Sequence, residues 1–236
     1  MSHEIEKIAE EYHSKGFAIM KVYENDKYRK IQEFALNWII GVIQPLSKKH
    51  VVFDDIPKYH EWFENEGIEH SKIFINDNRV IEPGQEITEL IQNHTLLELV
   101  KEILKQDFHI WRDPGVGWLC YRMIRPNFND GYHLCKKSWG DANKVASVWL
   151  PIVGNTRNET LQLLPGSHLK DYKKKKDPNN KFVEPELDES IDESSLLRPD
   201  LKDGEVIIYH PDILHSENVV DSDTTRFNLE FRFNPE

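Results

Sequence analysis

LKDGEVIIYHPDILHSENVVDSDTTRFNLEFRF, residues Leu201 to Phe233, decides the fold class of this 236-residue chain. Its last eight residues alternate strictly. Phe227, Leu229, Phe231 and Phe233 fall on one face of an extended strand, and Arg226, Asn228, Glu230 and Arg232 on the other. One face is therefore core, and the other meets water or a polar cavity. Upstream, EVIIY is a short β-branched run introduced by the turn pair Asp203 and Gly204. His210 and His215 follow it, and Arg226 comes 11 residues after His215, on the polar face of the last strand. A buried arginine there suits a two-pronged contact with a carboxylate.

Working back toward the N-terminus, the same character holds as far as Phe108. FHIWRD, GWLCYRMIR, VASVWLPIV and TLQLL are short runs rich in aromatic and β-branched residues, separated by Gly, Pro, Asn and Asp. Before Phe108 the pattern is helical. Ile5, Ile8, Ala9 and Tyr12 recur at helical spacing until Gly16, and a short apolar segment, Phe17 to Val22, follows. Asn25 and Asp26 are good capping residues for a second helix with a stripe of Tyr28, Ile31, Ala35, Trp38, Ile39 and Val42. From Ile56 to Gln106 the pattern stays mainly helical. The expectation is an α+β arrangement with a mainly β core, in which helices cover one side of a closed or double β-sheet. Residues 1–236 are expected to form a single domain, with 1–107 as mostly helical support and 108–236 as the β core. The polar stretch 169–203, with KKKKDPNNK and DESIDESS, predicts a surface insertion or a lid.

Composition narrows the function classes. With 39% hydrophobic and 11% aromatic residues the chain builds a core without staples. A formal net charge of -11 argues against general affinity for nucleic acid or anionic membranes, which need a surplus of Lys and Arg. The two cysteines, Cys120 and Cys135, form no CxxC pair and no zinc-finger spacing, which fits a reducing compartment. The N-terminus is charged where a signal peptide is apolar, and no segment approaches the roughly 20 apolar residues of a membrane span. A soluble cytoplasmic protein is expected.

Histidine is the commonest protein ligand for iron and zinc, and of the 11 histidines two sit where strands end. His133 lies in FNDGYHLCKKSWG and His215 in HPDILHSEN. With LQLLPGSHLKDY, Leu161 to Tyr172, and the Leu201 to Phe233 block, the chain resembles the phytanoyl-CoA dioxygenase-like branch of the iron(II) and 2-oxoglutarate-dependent oxygenases. That family has a PGSH turn, here Pro165 to His168, a strand leading to the distal metal histidine, here His215, and a 2-oxoglutarate arginine, here Arg226. VASVWLPIVGNTRNET resembles the strand before the PGSH turn, and EEYHSKGFAIMK the opening helix and strand. The resemblance implies a double-stranded β-helix, the cupin-like jelly roll. It covers most of the chain. His168 is read as a structural residue of the turn, with no catalytic role.

The proximal motif departs from the family. His-x-Asp or His-x-Glu is replaced by His133-Leu134-Cys135. The literal His210-Pro211-Asp212 has no later histidine beyond His215 to serve as its partner in the required order, and is set aside. Three readings of Cys135 stay open. As a thiolate it ligates iron beside His133 and His215. Alternatively it lies near the metal without binding, as in the related halogenases, where a small residue leaves an open position. In the third, iron binding is lost and the barrel binds a ligand. Asp130 and Asp141 are possible substitute carboxylates, though without the family's spacing.

The activity implied is that of a dioxygenase: hydroxylation of a small polar substrate, coupled to decarboxylation of 2-oxoglutarate, with dioxygen as oxidant. His133, Cys135 and His215 would hold Fe(II), and Arg226 the far carboxylate of 2-oxoglutarate. On GWLCYRMIR, alternation puts Tyr121, Met123 and Arg125 on one face, which makes Tyr121 and Arg125 further candidates for contact with the co-substrate. The run Lys173 to Lys176 reads as a solvated loop; as part of a lid it would favour an anionic substrate. The competing class is a jelly-roll protein that binds a ligand without iron-dependent turnover.

Overall fold

The computed structural model describes residues 2–75, 77–113, 115–126, 145–173, 190–217, 219 and 221–236. Helix α1 (Ser2–Lys15) ends at Gly16 and leads directly into β1 (Phe17–Lys21). Then α2 (Asn25–Ile43), the single-turn α3 (Tyr59–Trp62) and α4 (His70–Ile73), and β2 (Asn78–Ile81) follow. Next come α5 (Gln85–Ile91), α6 (His94–Leu104), β3 (Phe108–Ile110), β4 (Leu119–Ile124) and β5 (Ala146–Val153). The chain closes with β6 (Gln162–Leu163), β7 (Glu205–Tyr209), β8 (His215–Ser216) and β9 (Arg226–Pro235). Among the described residues no helix is long and apolar enough to cross a membrane.

The strands build a jelly roll with flanking helices, an α+β fold with a mainly β core. The large sheet runs β1-β7-β5-β9-β4-β2, with β3 also on β9, and every pairing is antiparallel. Facing it is a small sheet of β6 and β8. β9 lies inside the large sheet between β5 and β4 with both faces buried, and it alternates strictly because one face packs in the apolar core and the other carries buried polar and charged side chains. Phe227, Leu229, Phe231 and Phe233 join Val148, Leu150, Val206 and Ile208 in one core against the helices. On the other face, Phe17, Trp149, Ile207 and Tyr209 meet Leu161, Leu163, Leu201 and Ile213 in a second core between the two sheets.

Helix α2 lies over β5 and buries Tyr28, Ile31, Ala35, Ile39 and Ile43, close to the stripe its spacing predicts. Tyr28 donates from its hydroxyl to the Pro151 carbonyl at 2.8 Å, and Gln32 Nε2 donates to Ile152 O at 3.1 Å. Trp38 and Val42 are only partly buried, at the margin of that stripe. The helix starts after Glu24 without a side-chain cap, so Asn25 and Asp26 sit inside its first turn, where Asp26 complements the helix dipole.

Two features depart from the expectation of helices before Phe108 and a surface insertion after Leu169. β2 falls within the stretch read as helical, because it is a four-residue edge strand stabilised by pairing with β4. The end of the predicted insertion is bound to the barrel. Leu197 bridges to Leu163, Thr160 Oγ1 donates to Pro199 O at 2.6 Å, Leu201 N donates to Asn155 O at 2.9 Å, and Leu201 is buried.

Candidate metal and carboxylate site

His215 is placed by a sequence of local bonds. After β7 the chain turns, with Ile213 N donating to His210 O and Asp212 N donating to His210 Nδ1 at 3.0 Å. Leu214 N donates to Ser167 Oγ at 2.7 Å, and Leu164 N to Leu214 O at 2.9 Å. His215 then pairs with Leu163 across the small sheet and is buried. Its Nδ1 donates to Ile213 O at 2.8 Å, since a carbonyl only accepts, and this bond fixes the orientation of the ring. A backbone carbonyl holding the second ring nitrogen is the usual support of a metal-ligating imidazole.

The PGSH turn is the joint behind this arrangement. Gly166 adopts φ +75° and donates from its N–H to Lys15 O, and Ser167 holds Leu214. His168 Nε2 donates to His13 O at 3.0 Å, and its ring packs against His210 at 5.2 Å between centroids. Gly16 is required under that ring, since a Cβ there would lie 2.5 Å from His168 Nδ1. A cavity of about 170 Å³ beside this joint, lined by Tyr12, Ile103, His168 and His210 among others, is separate from the chemistry of His215 and Arg226.

Arg226 is fully buried on the inner face of β9. Its Nη1 donates to Glu159 O at 3.0 Å and Glu217 O at 2.9 Å, and its Nη2 to the Glu217 carboxylate through Oε2. Trp149 lies beneath, 5.6 Å from Cζ to the ring centroid. From the neighbouring strand, Arg122 Nη1 stands 2.9 Å from Glu217 Oε1 and Arg122 Nε 3.2 Å from Glu230 Oε1. Arg232 Nη2 is 3.5 Å from Glu230 Oε2. The inner face thus carries an alternating row, Arg226, Glu217, Arg122, Glu230, Arg232, almost wholly removed from water. Burial by itself would lower the Arg122 guanidinium, but Glu217 and Glu230 raise it well above its ordinary value. Burial pushes the Glu230 carboxyl up, and the Arg122 charge opposes it. Three arginines and two glutamates thus alternate along the described row, each held by an opposite charge.

Of the residues singled out from the sequence, His215 and Arg226 share the inner side of the barrel. His133 and Cys135 lie outside the described residues, as do Asp130, Asp141 and Lys174 to Lys176. Among the described residues no three of His, Cys, Asp and Glu cluster as a metal site. Tyr121 and Arg125 are on the helix-covered face, away from Arg226. Tyr121 packs on Trp38 at 4.1 Å and on Phe227 at 5.6 Å, and Arg125 lies over Phe63 at 5.4 Å with Nη2 3.8 Å from Asp77. The residue of β4 that reaches the inner row is Arg122, paired across from Asn228. Arg122 and Glu217 were both passed over in the sequence. The signal for Arg122 is its opposite phase to Tyr121; that for Glu217 is its position two residues after His215 on an extended segment.

The fold defines the class: a jelly roll of the kind found in non-haem iron, 2-oxoglutarate-dependent enzymes. The epimerase SnoN, solved in complex with Fe3+, alpha ketoglutarate and nogalamycin RO, superposes with a TM-score of 0.66 at 11% identity, covering 100% of this chain and 85% of that one. The non-heme monooxygenase ThoJ gives 0.61 at 16% identity, covering 97% and 77%. EctD from S. alaskensis gives 0.60 at 16% identity, covering 97% and 76%. No family model and no curated protein sequence matches the chain. At these identities the likeness is one of fold.

Proposed function

We propose that this chain is a non-haem iron(II), 2-oxoglutarate-dependent oxygenase acting on a small polar substrate, anionic ones included. The observation that carries this reading is the pairing, inside one barrel, of a buried His215 whose Nδ1 is held by the Ile213 carbonyl and a buried Arg226 already gripping a carboxylate. His215 would hold the metal together with His133 and Cys135, and Arg226 would take the far carboxylate of the co-substrate. Iron(II) and 2-oxoglutarate, when bound, supply with dioxygen an oxidant for an unactivated C–H bond, with hydroxylation the expected outcome.

The chain's own residues supply position and environment. The Ile213 carbonyl fixes the orientation of the His215 ring, and the Ser167 hydroxyl holds the segment just ahead of it. The Glu159 and Glu217 carbonyls hold the Arg226 guanidinium, with Trp149 beneath it, so the arginine is oriented before a ligand arrives. Phe17, Ile207 and Tyr209 line the space between the sheets and keep bulk water from the row of charges.

The test is an anaerobic titration of metal-free protein with iron(II) at saturating 2-oxoglutarate, following the visible charge-transfer band of the chelate. The band is expected in wild type and is expected to be lost or shifted in Cys135→Ala. A band seen only in Cys135→Asp would show that the natural chain has given up iron and binds a ligand without turnover.

A further inference from the structure

Arg226 is not waiting for a carboxylate; it holds one. Glu217 grips the guanidinium twice, through its backbone carbonyl at Nη1 and its side chain at Nη2, and the same carboxylate reaches Arg122 at 2.9 Å. Both charged partners of Glu217 come from inner-face positions of the sheet, and Glu217 itself is fully buried. We infer that Glu217 is an internal occupant of the co-substrate's carboxylate site, so that 2-oxoglutarate binds only in the fraction of molecules whose Glu217 side chain has left Arg226. The inference rests on the assignment of Arg226 as the co-substrate arginine.

The physical basis is a competition between two carboxylates for one buried guanidinium. Nη1 is taken by two carbonyls and Nη2 by Glu217, while Nε has no hydrogen-bond partner among the described residues, so a carboxylate that is to take the Glu217 position on Nη2 must displace that side chain. An incoming carboxylate must replace the side chain, and apparent affinity falls by the fraction of the competent state. The design also permits the exchange. The Glu217 carbonyl, bound independently to Nη1, keeps Arg226 in place when the side chain leaves. Glu217 follows directly on β8, which is two residues long, so side-chain rotation there does not break a long ladder.

The experiment compares wild type, Glu217→Gln and Glu217→Ala, each loaded with redox-inert nickel(II) and checked for fold by circular dichroism. Two readouts are taken: calorimetric titration with 2-oxoglutarate, and the change in Tm on adding acetate. The expected result is 2-oxoglutarate binding at least about tenfold tighter in Glu217→Gln than in wild type, and stabilisation of Glu217→Ala, but not wild type, by acetate. Equal 2-oxoglutarate affinity in wild type and the variants would overturn the inference while leaving the oxygenase reading in place. Acetate stabilisation of Glu217→Ala with no 2-oxoglutarate binding in any form would keep the inference and sink the co-substrate assignment. If folded variants respond to neither compound, the inference is wrong. Glu217→Gln preserves shape, so it decides the matter by 2-oxoglutarate affinity alone if Glu217→Ala does not fold.

Discussion

At the scale of single residues, the buried row on β9 dominates. Arg226 is completely enclosed and its charge is balanced mainly by Glu217. Arg226→Met should therefore cost about 3–5 kcal/mol, because it removes one of the two arginines that balance a carboxylate already out of water. Urea denaturation measures this directly; a loss below about 1 kcal/mol would mean that the pair is not maintained. Cys120 offers a second test. Burial pushes its thiol up to about 11, so the folded state favours the neutral form. That contribution to stability is complete below the ordinary thiol range and is lost as pH rises through about 11. Iodoacetamide at pH 8 should leave the Cys120 peptide unmodified in native protein and modify it in urea, as read by peptide mass mapping. That Arg226 lies on the polar face of β9 was legible from alternation, while its placement in a pocket was an expectation of the family resemblance. Its partner was not legible: whether a polar face meets solvent or another charge depends on Glu217, which arrives from a different strand.

Elements show where local pattern suffices and where it does not. α2 and β9 were readable because each carries a long periodic signal whose buried side is decided within the element. β2 and β8 were not, since runs of two to four residues become strands only through their partners. The PGSH turn lies between these cases. Its Pro and Gly mark a turn, but its task of holding Leu214 ahead of His215 follows from the fold. Ser167→Ala should cost about 1–3 kcal/mol by leaving the buried Leu214 N–H without its acceptor, and chemical denaturation checks it. Gly204 joins β7 to β1 at φ +81°, receiving the Val22 and Tyr23 amides at its carbonyl, and a Cβ there would lie 1.9 Å from Tyr23 O. Gly204→Ala is expected to lower stability by at least about 1–3 kcal/mol, since backbone rather than a flexible side chain must give way. A Tm equal to wild type would contradict that packing.

On the scale of the whole molecule, an acidic chain of net charge -11 encloses a row of buried, alternating charges. The jelly roll explains how both coexist: helices seal one face of the large sheet, and the small sheet seals the other, so the inner charges are isolated from the surface. The class of fold was readable from the order of helical and β segments together with the spacing of His215 and Arg226. The candidate metal site was legible only in part, because Cys135 stands where the family has a carboxylate and both it and His133 lie outside the described residues. The central claim is that His215 belongs to a metal centre, and cobalt(II) binding tests it most directly. Metal-free wild type titrated anaerobically with cobalt(II) should develop visible d–d absorption that saturates at a single equivalent, with circular dichroism confirming the fold. His215→Ala should lose that absorption, whereas His210→Ala should retain it. Absorption and affinity unchanged in folded His215→Ala would contradict the claim.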